Sequence, residues 1–555
     1  MTTNQADLAQ RIEVATSHDR GVRFVCDDDA GLVSWAELHD DARGVARALQ
    51  RRGVRPGDRV ALVGTTSRRL TTAIQAVWLS GGAVVVPPVP IGQPSRRAVE
   101  TVVDVLGVAD PSLVLADGAW TQTLQQHVTR PLEALAALEP RRVDAERFDP
   151  APRPVGTIAI VGFTSGSVTD PKGVVIGDAQ VAANHHACAS AVGLDDTDRF
   201  CSWLPLYHDM GMAGVLAITM AEGLDLVLGS PEQFARSPRT WITWTAEHRA
   251  TMTVAPNFAY ALAGVALAAS NGFDLSAWRL ALNGAEPIDV GLVRAFLAAG
   301  APLGLRPEVA YPCYGMAEST LAVTMPDPSA GLDVDVVDRR ALEHDRVAEP
   351  AADGGAMAFV GSPVIGMELR ITEPAEGREL KDREVGEIQI RGTSLMHGYF
   401  RRPDLTAAAF TDDDWFRTGD LGYLVDGNLV VCGRIKELII VGGRNLLPHD
   451  VERVVMTVPG VRAAGVVAFG AAANGTEGLV VVAETRRAHE AADAVTHRAL
   501  ASSIATEVQE RLDVTPREVV LARRGSVPRT TSGKIQRQQA RALWEADALD
   551  TLPRG

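Results

Sequence analysis

The sequence has little cysteine and little lysine. Its five cysteines are scattered and form no C-x-x-C pair, which argues against a disulfide framework and indicates a reduced, cytoplasmic protein. His185 and His186 have no third ligand at metal spacing, so no zinc site is predicted. Only four of the 54 basic residues are lysine, which draws attention to each of them. They are Lys172, Lys381, Lys436 and Lys534.

Long apolar runs are also missing. The most apolar stretch, residues 73–91, contains two glycines and three prolines and never reaches the roughly 18 uninterrupted apolar residues of a membrane span. The first residues show no basic segment followed by an apolar one, so no secretory signal and no membrane span are expected. The oligomeric state cannot be read from these features.

Positive charge is in deficit across the 555 residues. Lys and Arg number 54 against 69 Asp and Glu, a net charge of −15, which argues against a dedicated nucleic-acid binder. A hydrophobic content of 46% with 22% charged residues is typical of a globular chain and excludes a disordered or fibrous one. The length predicts roughly three to five compact units.

Alternating patterns divide the chain into regions. Residues 30–150, 156–230 and 251–312 alternate short apolar runs with amphipathic stretches, which predicts α/β structure with parallel sheets. Beyond about residue 355, strand formers and glycine turns predict a β-rich region. From about residue 450 a small separate α+β domain is expected, with the boundary near Arg434.

Two segments contain residues suited to binding anions and cations. GFTSGSVTDPKGVVI, residues 162–176, places hydroxyls, glycines and a lysine between two apolar strands, where they could surround oxyanions; it lacks the Walker pattern. In YPCYGMAESTLAV, residues 311–323, Glu318 lies among small apolar residues, as expected of a cation-binding carboxylate. Taken alone, the first could be an ordinary strand–turn–strand and the second a surface carboxylate.

Two later segments carry further candidates. In residues 415–448, Asp420 follows a Thr-Gly pair and Arg434 closes the next hairpin, a combination able to hold a vicinal diol. In SVPRTTSGKIQR, residues 526–537, Lys534 lies in a turn that a domain motion could deliver to a site. The alternatives are turn-stabilising side chains and a solvated lysine.

The order and spacing of these motifs resemble the adenylate-forming superfamily of acyl-CoA synthetases, luciferases and nonribosomal-peptide adenylation domains, over essentially the whole chain. PLYHDMGM, APNFAYAL, FDLSAWRLALNGAEP and GRIKELIIVGGRNLLPHDVE are similar to fatty acyl-AMP ligases in particular. Those ligases carry an insertion that corresponds here to residues 336–355, which we call the insertion segment.

The resemblance implies a fold and a reaction. The fold is α/β: a large domain, residues 1–434, of two doubly wound α/β subdomains plus a β-rich, barrel-like subdomain, followed by a small, mobile α+β domain, residues 435–555. The reaction is ATP- and Mg²⁺-dependent conversion of a carboxylic acid, fatty or polyketide-like, to acyl-AMP, followed by transfer to a phosphopantetheine thiol, of an acyl carrier protein or of CoA. An acyl-CoA ligase specialised for supplied acyl-AMP and a non-catalytic nucleotide or acyl binder remain alternatives.

The resemblance also implies residue roles. Lys534 would bridge the acyl carboxylate and the α-phosphate, Glu318 would bind Mg²⁺, His208 would lie beside them, and Lys436 would be the hinge. The nucleotide would contact Thr164, Ser165, Gly166, Ser167, Lys172, Gly284, Ala285, Glu286, Tyr314, Gly315, Met316, Asp420 and Arg434. Met210, Met212 and Phe258 would line the acyl pocket.

One position departs from the family pattern. Val168 stands in the phosphate loop where most relatives have a hydroxyl residue. A valine cannot donate to phosphate, and one lost charge-assisted hydrogen bond costs about 1.5–3 kcal/mol. Val168 would therefore weaken adenylation unless Thr169 compensates, whereas the presence of Lys534 and Glu318 argues that the step survives.

Overall fold

The computed structural model describes residues 7–26, 31–92, 94–140, 142–146, 148–163, 171–270, 272–473, 476–486, 493–530 and 533–552. Within those residues, two seven-stranded sheets form the larger part of the molecule. The strands of the first sheet, in spatial order, are Ala310–Pro312, Leu280–Asn283, Met252–Ala255, Arg199–Ser202, Asp225–Leu228, Gly21–Phe24 and Leu32–Ser34. All neighbours are parallel except the last pair.

The second sheet is parallel at one side and antiparallel at the other. Its strands, in spatial order, are Gly398–Tyr399, Gly173–Gly177, Ile158–Phe163, Ala83–Val85, Arg59–Val63, Leu113–Ala116 and Leu132–Ala134. The first three strands pair antiparallel and the others parallel. The prediction of an α/β fold with parallel sheets is therefore confirmed.

Helices cover both faces of these sheets, which is why the strands are nearly continuous apolar runs. One core joins side chains from both sheets and includes Trp78, whose indole N–H donates to the Ala159 carbonyl at 3.0 Å. The helices of this part are Leu8–Ala15, Trp35–Arg51, Arg68–Leu79, Arg96–Ala109, Ala119–Leu124, Arg142–Glu146, Asp178–Val192, Asp209–Gly211, Met212–Ala217, Ile218–Glu222, Pro231–Arg236, Pro238–Glu247, Asn257–Ala268 and Val290–Gly300.

A β-rich region follows, as predicted. Its antiparallel four-stranded sheet comprises Met367–Thr372, Gly386–Gly392, Phe416–Val425 and Asn428–Arg434. Smaller sheets comprise Tyr314–Gly315, Ala322–Met325 and Ser362–Pro363, and Val334–Val337 with Gly355–Ala358. The short helices of this region are Ala317–Ser319, Arg339–His344 and Pro403–Ala409, whereas Ala301–Leu303 and Pro307–Val309 precede the strand Ala310–Pro312 of the first sheet.

The carboxy-terminal part has two apolar clusters of its own. Its strands are Ile439–Val441, Arg444–Leu446, Val461–Ala473, Thr476–Thr485 and Glu518–Ala522, and its helices are Pro448–Met456, Ala494–Leu512 and Arg537–Glu545. Leu447 packs instead with the β-rich region, next to Val430 and Cys432. The α+β character agrees with the prediction; the boundary at residue 434 and the mobility of this part stay predictions.

The insertion segment lies against the carboxy-terminal part. Arg339 pairs with Asp450 at 3.0 Å, and Glu343 accepts from Arg444 at 2.5 Å. Asn445 donates its side-chain amide to the Glu343 carbonyl at 2.9 Å. These contacts tie the two parts together in this arrangement. Among the described residues, no helix combines the length and apolarity needed to cross a bilayer.

Candidate active site

A cleft of about 1940 Å³ lies between the larger part and the carboxy-terminal part. It is lined by every predicted site residue that the structure describes: Lys172, His208, Met210, Met212, Phe258, Gly284, Ala285, Glu286, Tyr314, Gly315, Met316, Glu318, Asp420, Arg434, Lys436 and Lys534. Thr164, Ser165, Gly166, Ser167 and Val168 lie outside the described residues. Their roles stay predictions.

The carboxyl end of the strand Leu280–Asn283 forms one wall. Gly284 passes so close to the next strand that a Cβ there would lie 2.9 Å from the Cys313 carbonyl oxygen, and Ala285 adopts a left-handed conformation with φ of 70°. Glu286 accepts the backbone N–H of Phe258 at 2.6 Å, and burial raises the pKa of this carboxyl. The backbone is therefore held flat against the cleft, where a planar ring could lie.

Tyr314, Asp420 and Arg434 form a hydrogen-bonded set that also lines the cleft. The Tyr314 hydroxyl donates to Asp420 Oδ2 at 2.7 Å, and Arg434 Nε lies 3.1 Å from Oδ1. Burial raises the pKa of Asp420 although Arg434 opposes the shift. Asp420 is 6% exposed, so its carboxylate is fixed and its remaining acceptor capacity is suited to hydroxyl donors such as a vicinal diol.

Glu318 is held by Tyr399, which comes from the edge strand of the second sheet. The Tyr399 hydroxyl donates to Glu318 Oε1 at 3.0 Å, and Lys172 Nζ lies 5.4 Å from the centre of the same ring. Burial raises the pKa of Glu318, so the carboxylate is favourable here only with a cationic partner. Mg²⁺ commonly binds one or two carboxylates plus substrate phosphates, and Glu318 fits that requirement.

Lys534 meets His208 at the centre of the cleft. Its ammonium lies 3.4 Å from His208 Nε2, and the other ring nitrogen contacts the Asp209 carboxylate. Burial lowers the pKa of Lys534, whereas Asp209, Glu286 and Asp420 act to raise it. Burial would raise the pKa of Asp209, but His208 and Lys534 bring it below its ordinary value. The cleft therefore contains a buried ammonium, a group able to stabilise negative charge on a bound ligand.

The backbone around Lys534 explains how the side chain is presented. Thr530 donates its N–H to the Lys534 carbonyl at 2.8 Å, and Arg529 pairs across the turn with Ile535. Gly533 has a φ of 91°, and a Cβ there would lie 3.2 Å from the Phe258 ring. The turn therefore rests directly on the larger part.

Arg537 fastens this turn to the rest of the carboxy-terminal part. Its guanidinium contacts Glu437 at 2.7 Å and Glu452 at 2.7 and 2.9 Å. Glu437 belongs to the turn Ile435–Glu437, which also holds the exposed Lys436 and joins the two parts of the chain. The segment predicted as a hinge is thus linked by one ion pair to the helix that begins three residues after Lys534.

Sequence reasoning missed Asp209, Tyr399 and Arg537, which also line the cleft. Asp209 could have been found, because it follows His208 directly. Tyr399 and Arg537 act through contacts 81 and 85 or more residues away in the chain, which no local pattern shows.

Comparison with known proteins identifies relatives that are named as fatty-acid–AMP ligases. The model of the AMP-binding enzyme family matches residues 13–400. A Mycobacterium tuberculosis protein named as a ligase is 36% identical over 92% of this chain and 94% of its own. The long-chain-fatty-acid–AMP ligase FadD32 of Mycolicibacterium smegmatis is 33% identical over 92% of this chain and 89% of its own.

A solved structure from a study of fatty acyl-adenylate ligases of E. coli and L. pneumophila is also similar. It is 30% identical, covers 99% of this chain and 98% of its own, and superposes with a TM-score of 0.87. The predicted resemblance to adenylate-forming ligases is confirmed. The chain belongs to the family of AMP-binding enzymes.

Proposed function

We propose that this protein activates a fatty acid with ATP as acyl-AMP and then transfers the acyl group to the phosphopantetheine thiol of a carrier protein. The observation that carries the proposal is the Lys534 ammonium, 3.4 Å from His208 Nε2 in the same cleft as Glu318 and Asp420. Two relatives named as fatty-acid–AMP ligases support the first step, as does a 26% identical L. pneumophila ligase solved with acyl adenylate and pyrophosphate.

In the first step a carboxylate oxygen forms a bond to the α-phosphorus, and the bond to the β-phosphate oxygen breaks, releasing pyrophosphate. Both reactants are anions, so the site must supply positive charge before they meet. Lys534 would neutralise charge at the carboxylate and α-phosphate. Asp420, Arg434 and Tyr314 would hold the ribose and base, while Glu318 would hold Mg²⁺, which offsets phosphate charge.

In the second step a thiol sulfur forms a bond to the acyl carbon, and the bond to the AMP oxygen breaks. A carrier-bound thiol is favoured by the relative named medium-chain-fatty-acid–[acyl-carrier-protein] ligase JamA, of Moorena producens, at 30% identity. CoA is the second candidate acceptor, because the family also contains a relative named fatty-acid–CoA ligase at 29% identity. The five free cysteines are consistent with a cytoplasmic location.

The first test is acid-dependent exchange of labelled pyrophosphate into ATP across a panel of fatty acids. We expect exchange with at least one acid and none without acid. Tight AMP binding with no exchange for any acid would favour the non-catalytic binder instead.

The second test supplies synthetic acyl-AMP without ATP to a holo carrier protein, an apo carrier protein and CoA in parallel. We expect acyl transfer to the holo carrier alone, because only it carries the thiol arm together with a protein surface. Product with CoA and none with the carrier would contradict the proposed acceptor.

A further inference from the structure

The inner part of the cleft has a floor built from alternate residues of the first sheet. Met252 and Val254, from the strand Met252–Ala255, line the cleft. Leu282 and Gly284, in and just after the neighbouring strand Leu280–Asn283, line it as well. On the opposite side of Met252, Phe200 of the strand Arg199–Ser202 is in register with it and also lines the cleft. Because side chains alternate between the faces of a strand, these residues form one continuous surface. It runs from Gly284, beside the Lys534 site, to the amino-terminal edge of the sheet.

The roof over this floor is also apolar. Cys188 and Val192 come from the helix Asp178–Val192, and Gly214 and Ile218 from the segment after His208. A Cβ on Gly214 would lie 2.8 Å from the Leu321 side chain, so the glycine allows Leu321 to pack closely against this segment. We call the passage between floor and roof the inner tunnel; its lining suits an unbranched hydrocarbon chain.

At the far end of the inner tunnel, Arg279 lies behind the lining residues Met252 and Val192. Its guanidinium donates to the Val192 carbonyl at 2.9 Å and lies 3.6 Å from the Met252 sulfur. It also forms a bidentate ion pair with Asp198, in which its Nε and Nη2 atoms donate to Oδ1 and Oδ2 at 2.7 and 2.6 Å. The Asp198 side chain is buried, with 1% of it exposed. A fixed, charged side chain behind Met252 makes this end unfavourable for further hydrocarbon.

We propose that Met252, backed by Arg279, is the end stop of the inner tunnel and restricts the substrate to unbranched acids of about 8–12 carbons. Leu280, in register with Met252, is four residues before Gly284, which gives about 13 Å at ~3.3 Å per residue. Carbon–carbon bonds of about 1.5 Å advance an extended chain by about 1.3 Å per atom, so about ten carbons fit. This inference rests on the proposed function.

The test measures kcat/KM for unbranched acids of increasing length by pyrophosphate release. We expect kcat/KM to rise about four-fold per methylene up to 8–12 carbons, because each buried methylene contributes that factor, and then to fall. Met252→Ala removes three heavy atoms from the stop and should move the optimum to acids two to four carbons longer.

Met220→Ala is the matched control, since Met220 is equally buried at 1% exposure and does not line the cleft. It should lower stability without moving the optimum. Val254→Met fills the tunnel halfway and should move the optimum to shorter acids, which keeps the test decisive if Met252→Ala does not fold. An unmoved optimum in the folded variants, or equal activity on decanoate and hexadecanoate in the unaltered protein, would overturn the end stop. Failure to act on any acid would instead count against the proposed function.

Discussion

The side chains around Lys534 set its charge. Lys534 is buried, which lowers the pKa of its ammonium, and Asp209, Glu286 and Asp420 counteract that shift. The charged form is therefore present below the lowered pKa and is lost as pH rises through it. An enzyme that needs this ammonium should lose adenylation at a pH below the ordinary lysine pKa of about 10.4.

Asp209→Asn tests this balance. The substitution removes a negative charge that raises the pKa of Lys534, so we expect the alkaline limb of the kcat/KM profile to move to lower pH. Asp274→Asn serves as the control, because Asp274 is an exposed carboxylate paired with Arg249 and does not line the cleft. An alkaline limb that stays in place would show that Lys534 does not control the rate.

Tyr314→Phe tests whether the hydrogen-bonded set of Tyr314, Asp420 and Arg434 holds the nucleotide. It removes the hydrogen bond at 2.7 Å to Asp420 while keeping the ring, and a hydrogen bond to a charged group contributes about 1.5–3 kcal/mol. We expect KM for ATP to rise roughly ten-fold or more, with a smaller change in kcat. Tyr423→Phe is matched, because the Tyr423 hydroxyl donates to Asp335 at 2.9 Å away from the cleft. Equal effects of the two substitutions on KM would contradict the assignment.

At the scale of elements, local signals predicted much of the structure. The helix Trp35–Arg51 carries local signals of this kind, because Ser34 accepts the Glu37 N–H at 3.1 Å and apolar side chains recur at helical spacing. The strand Ala83–Val85 is also marked locally, because its apolar run ends at the prolines of residues 87 and 88. The pairing of Tyr399 with the second sheet could not be predicted, because long-range register leaves no local trace.

The ion pairs of Arg537 provide a prediction at this scale. Arg537→Met leaves Glu437 and Glu452 without that partner, and breaking a buried pair typically costs about 3–5 kcal/mol. We expect a lower Tm for the carboxy-terminal part and slower adenylation, since the Lys534 turn loses its attachment. Calorimetry with Arg541→Met as control, whose pair with Glu545 is surface exposed, measures the difference. A Tm equal to that of the control would count against this role.

At the scale of the whole molecule, the site is assembled from two parts. The residues predicted to contact the nucleotide all precede residue 435, whereas Lys534 lies in the carboxy-terminal part and lines the same cleft. Motif order predicted which residues would meet. Their shared cleft, its depth and the contacts of the insertion segment depend on packing between distant segments, which the sequence does not display.

Removal of residues 435–555 separates the two contributions. We expect the shortened chain to bind AMP within about ten-fold of the full chain, measured by calorimetry, and to show no pyrophosphate exchange. The truncation also removes Leu447 and other apolar side chains from the core of the β-rich region. Circular dichroism must therefore show that the shortened chain keeps its β-sheet structure. Exchange by the shortened chain would show that Lys534 is dispensable.

Pyrophosphate exchange by Lys534→Ala tests the central claim most directly. Lys381→Ala is its control, because Lys381 is exposed and does not line the cleft. We expect Lys534→Ala to lower acid-dependent exchange by about 100-fold or more while Lys381→Ala leaves it unchanged. Exchange by folded Lys534→Ala at the rate of the unaltered protein would contradict the account.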